Sequence, residues 1–89
     1  MPIAVTERAL EVLSRALDAA RLDRSRVGIR IALGRGLRGE EVRTGFAEDP
    51  EPGEIVHEAG GIRLFVPSAL DDRSAVIDVA DEHDRIIVR

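Results

Sequence analysis

With 89 residues, 44% of them hydrophobic and 34% charged, the chain has the composition of one small globular domain over residues 1–89. It has no cysteine, which excludes disulfides, thiolate metal sites and cysteine nucleophiles. A net charge of −4, two Phe, no Trp and no Tyr argue against duplex nucleic acid and against single strands, which need a basic face and stacking platforms.

The helix comes first. Thr6 is a good N-cap, with Val5 and Leu10 placed to staple across it. Leu10, Leu13, Leu17 and Ala20 then recur as one apolar stripe, and Glu11 and Arg15 pair at i, i+4 on the other side. The stripe predicts a helix ending near Leu22. The period then changes to two: Val27, Ile29, Ile31 and Leu33 predict a strand with one aliphatic face. A glycine loop, Gly34 to Gly39, precedes a second strand through Val42, Thr44 and Phe46. Glu48 to Gly53 reads as a turn and Ile55 to His57 as a third strand. Ala59-Gly60-Gly61 forms a tight hairpin into Ile62, Leu64 and Val66. Pro67 to Leu70 starts a helical turn. Val76–Val79 and Ile86–Val88 are two more strands, joined through Asp81-Glu82-His83-Asp84. Hairpin-length connections imply largely antiparallel pairing, and the order of elements gives an α+β class.

In this order and spacing, several segments resemble the A-type iron–sulphur carrier (HesB/IscA) family. They are Val5-Thr6-Glu7-Arg8-Ala9 before the helix, Gly28-Ile29-Arg30-Ile31 before a glycine-rich loop, and Phe46-Ala47-Glu48-Asp49-Pro50. Ile55-Val56, Gly61-Ile62-Arg63-Leu64-Phe65-Val66 and the later Leu70, Ile77 and Asp78 continue the match. The resemblance implies one long N-terminal helix packed on two small, mostly antiparallel β-sheets. It also implies a protein that binds iron or an iron–sulphur cluster through three cysteines, often between subunits, and passes it on. Here the sequence departs from the family. Leu37 stands where the family places its loop cysteine, and no counterpart of the C-terminal Cys-x-Cys occurs through Arg89. Iron–sulphur clusters need soft thiolate donors, so no ligand carries over and no cofactor is expected.

Other constellations are weaker. Gly34-x-Gly36-x-x-Gly39 spells a dinucleotide fingerprint, but a strand pattern follows where that fingerprint requires a helix. Ser14, Ser25, Ser68 and Ser74 lie in no nucleophile motif, and Lys is absent, so Schiff-base chemistry is left to the terminal amine. The chain therefore reads as a non-enzyme. Charge is segregated: Arg21 to Arg43 holds seven Arg against three acids, whereas Glu48 to Glu58 holds five acids and no Arg.

The expectation is a degenerate HesB/IscA-like domain acting as an interaction or adaptor protein. Its candidate surface for a protein partner, a homodimer contact or an anion is Arg35, Gly36, Leu37, Arg38 and Gly39. The alternative is a binder of a small anion through that loop, or of a divalent metal through Asp81, Glu82, His83 and Asp84 with His57. The N-terminus lacks a basic segment before a long apolar core, and no run approaches the ~20 apolar residues of a membrane span, so the expected location is the cytoplasm.

Overall fold

Thr6 organises the start of the first helix, α1 (Glu7–Ala19). Its hydroxyl accepts from the Ala9 N–H at 3.2 Å and donates to Asp78 Oδ1 at 2.8 Å, so the cap also ties α1 to a distant strand. The computed structural model describes residues 3–36, 39–72, 74–80 and 85–89, with residues 35, 36, 39 and 40 in backbone only. Ala9, Leu13 and Leu17, one helical turn apart, are the buried face of α1. Leu10 is half-buried at its margin, and Ala20 is the exposed C-cap, so the helix stops short of the expected Leu22.

The stop has a clear cause. The Leu22 N–H donates to the Leu17 carbonyl and the Arg21 N–H to the Asp18 carbonyl, both at 3.1 Å. This double bond pattern needs a left-handed residue at Arg21, whose φ is 56°. Glycine takes that conformation without the Cβ clash, and Arg21 is exposed. We expect Arg21→Gly to stabilise the protein by about 0.5–1 kcal/mol in urea denaturation. An equal loss would mean that the Arg21 side chain holds the turn.

Among the described residues, seven strands form two sheets. The larger has the order β3 (Gly39–Ala47), β2 (Gly28–Gly36), β5 (Ile62–Pro67), β4 (Glu54–Ala59). The smaller has the order β1 (Ala4–Val5), β6 (Val76–Val79), β7 (Ile86–Val88). A short helix, α2 (Ser68–Asp72), links β5 to β6.

The two small sheets and the N-terminal helix expected from the sequence are present, with one difference. The glycines read as a loop are largely strand: β2 and β3 stay paired until Gly36 faces Gly39. The pairing is mostly antiparallel, as expected, with parallel joins at β1–β6 and β2–β5. Loop length fixes how a hairpin pairs with itself, but not how two hairpins meet, and β2–β5 is such a meeting. β1, at two residues, is too short to show alternation. The hairpin between β4 and β5 is as expected: Gly60 and Gly61 have φ of 56° and 78°, and Ala59 faces Ile62.

One apolar core joins the elements. It brings Ala9, Leu13 and Leu17 of α1 together with Ile29, Ile31, Ile62, Leu64 and Val66 of the larger sheet and Ile77 and Val79 of the smaller. Strand residues alternate between faces, so Phe65 points away from this core, yet it is completely buried. Gly28 makes that possible. A Cβ there would lie 3.0 Å from two Phe65 ring atoms and 2.7 Å from the Arg63 carbonyl oxygen. The Arg63 guanidinium lies over the Phe65 ring, 5.9 Å from its centre.

Candidate functional site

The β2–β3 hairpin carries the surface singled out from sequence. The backbone of Arg35, Gly36 and Gly39 forms its paired end, whereas Leu37 and Arg38 lie outside the described residues. Asp81, Glu82, His83 and Asp84 also lie outside them. His57 is half-buried on β4, and among the described residues no three His, Asp or Glu side chains group as metal ligands.

Behind the hairpin, Arg30 fastens the acidic turn to the sheet. Its Nε donates to Glu54 Oε2 at 2.8 Å, one terminal nitrogen donates to the Asp49 carbonyl at 3.0 Å, and the other lies 3.8 Å from Glu51 Oε1. Glu54 also accepts the Glu51 N–H at 2.7 Å. Only 11% of the Glu54 side chain is exposed, and the Arg30 hydrogen bond holds its carboxyl below the usual glutamate range. A lowered folded pKa stabilises the fold above the unfolded value of about 4.3 and loses that contribution as pH falls through the folded one. We therefore expect Glu54→Gln to melt below the parent at neutral pH, with the two melting temperatures converging as the solution is acidified below about pH 4. A difference constant from pH 7 to pH 3 would contradict this.

Asp78 is a second anchored carboxylate. The Val79 N–H and the Thr6 hydroxyl lower its pKa, and Arg89 approaches Oδ2 at 2.8 Å. Arg24 bonds Ser14 and Asp18, and Ser25 donates to Asp23. These polar groups serve the fold, and none brings a serine to a histidine. The surface grooves are open. One runs along the outer side of α1, lined by Glu7, Arg8, Glu11 and Arg15 among others, and one lies beside Gly60 and Gly61.

Sequence reasoning missed two large apolar side chains that, among the described residues, are left outside. Phe46 on β3 and Val56 on β4 are each 48% exposed. A signal existed for Val56. Ile55 and Val56 are adjacent in one strand, so one of them must leave the core.

These features define an α+β protein of two small sheets bound to an N-terminal helix, and solved structures share that fold. A protein from Aquifex aeolicus known from solution NMR, 21% identical, aligns over all of this chain and 91% of its own with a TM-score of 0.75. IscA with its [2Fe-2S] cluster, 16% identical, aligns over 98% of this chain and 81% of its own at 0.63. Escherichia coli SufA, described as involved in biosynthesis of iron–sulphur clusters, is 22% identical and aligns over 99% of this chain and 77% of its own at 0.60. No family model and no curated protein matches the sequence. The fold is therefore IscA-like, as the sequence resemblance implied, and the chain that adopts it has no cysteine.

Proposed function

We propose that the protein is an interaction module that uses the IscA-type fold without carrying a cluster. One observation supports this above the others: 89 residues adopt the fold of a [2Fe-2S] protein and contain no cysteine. The donor set does not fit such a cargo. Iron–sulphur clusters are held by thiolates, with His replacing two of them at most, and the chain offers two His and no sulphur beyond Met1. What persists is a scaffold whose charges are unevenly spread along the chain, with seven Arg against three acids from Arg21 to Arg43 and five acids without Arg from Glu48 to Glu58. The interaction surface in this reading is Arg35, Gly36, Leu37, Arg38 and Gly39, and its partner is an acidic protein in the cytoplasm.

The test is capture of a partner from the native host by the tagged protein, repeated with Arg35→Glu and Arg38→Glu together. The reading expects a partner that the parent retains and the variant loses, with the two proteins giving the same circular dichroism spectrum. Capture that survives charge reversal, or no partner at all, would count against it.

A further inference from the structure

We propose that the outer edge of β4 is a strand-addition site for an extended segment of a partner protein that alternates basic and apolar residues. This rests on the reading of the chain as an interaction module, and places a second contact on the acidic side of the molecule.

Among the described residues, β4 ends the larger sheet and is paired on one side, with β5. Such an edge presents unpaired backbone groups, and proteins usually blunt it with Pro, a bulge, charged side chains or a covering element. β4 has neither Pro nor a bulge, since its register with β5 runs unbroken from Glu54 to Ala59, and its charges, Glu54 and Glu58, repel acidic segments but not basic ones. The opposite edge is different. β3 contains Gly45 and packs beside β7.

The side chains of β4 determine what can add. On the outward face Glu54, Val56 and Glu58 alternate, with Val56 48% exposed and Glu58 exposed. A strand laid alongside brings its own side chains to within about 5 Å of these. It therefore needs cations on this face, one near Glu58 and one whose aliphatic stem can cover Val56, because Glu54 is already bonded to Arg30. On the inward face Ile55 packs on the core margin, so apolar residues at alternate positions of the incoming strand extend that core.

Charge selects a different protein over a second copy. Glu48 to Glu58 holds five acids and no Arg. Two β4 edges paired about a two-fold axis through Val56 set Glu54 of each against Glu58 of the other, and like charges directly opposite are destabilising.

The experiment titrates the whole chain, at low ionic strength, with an acetylated and amidated hexapeptide of alternating Arg and Val, followed by amide NMR. The expected result is a saturable shift concentrated at residues 54–59, with Glu58→Arg weakening binding about tenfold. Methylating the peptide nitrogens that face β4 should abolish binding, since strand addition depends on main-chain bonds. Equal binding of the methylated peptide or of an Asp–Val peptide, or shifts centred on the Arg hairpin, would overturn the proposal. So would a dimer in sedimentation with β4 amides protected. The outcome is separable from the broader reading. A chain that ignores the peptide, yet loses its captured partner on reversal of Arg35 and Arg38, keeps the interaction role and removes the β4 edge from it.

Discussion

Replacing Phe65 by alanine is expected to cost about 3–5 kcal/mol, the largest effect of any single substitution considered. For a small domain whose whole stability is of order 5–15 kcal/mol, that approaches loss of the fold at room temperature. The ring is completely buried, but it is not part of the central core. It lies on the other face of the larger sheet, against Gly28 and under the Arg63 guanidinium. Removing it leaves a cavity that Gly28 has no side chain to fill. Phe46→Ala is the control. That ring is half-exposed on an edge strand, and its removal should cost less than about 1 kcal/mol. Urea denaturation of both variants decides the matter. Comparable losses would show that Phe65 is not packed as described.

Gly28→Ala is expected to cost about 1–3 kcal/mol by overpacking. The methyl group would sit 2.7 Å from the Arg63 carbonyl oxygen. That oxygen belongs to backbone, and β2 and β5 are held in register at the next residue along, where Ile29 faces Leu64. Neither strand can yield without loosening the junction between the two hairpins. Because the same methyl also meets the Phe65 ring, the two substitutions should not add. Gly28→Ala in the Phe65→Ala background should cost less than it does alone, with a coupling of about 0.5–3 kcal/mol. Strict additivity would place the two residues out of contact.

Local features of this fold could be read from the sequence. Thr6 acts as the helix cap, Leu13 and Leu17 face the core, and the Gly60-Gly61 turn sets the β4–β5 register. Each depends on residues close together along the chain. The parallel join of β2 to β5 depends on residues about 35 positions apart, and no local period encodes it. Gly34, Gly36 and Gly39 suggested a loop because glycine is common in loops, yet paired neighbours carry the strand through them. Gly28 was legible only as the start of a strand. Its role depends on Phe65 lying against it, which only the folded chain reveals. At the candidate site the decisive fact, the lack of any thiol, was fully legible. Leu37 and Arg38 remain known from sequence alone.

The proposed function depends on a mismatch between the fold of a [2Fe-2S] protein and a chain without thiolate donors. Anaerobic incubation of the purified protein with ferrous iron and sulfide, then desalting and assay of both elements, tests it most directly. The expected result is a colourless protein with its circular dichroism unchanged and only traces of iron. Iron and sulfide retained in whole-number proportion to the chains, with visible cluster absorbance, would contradict it.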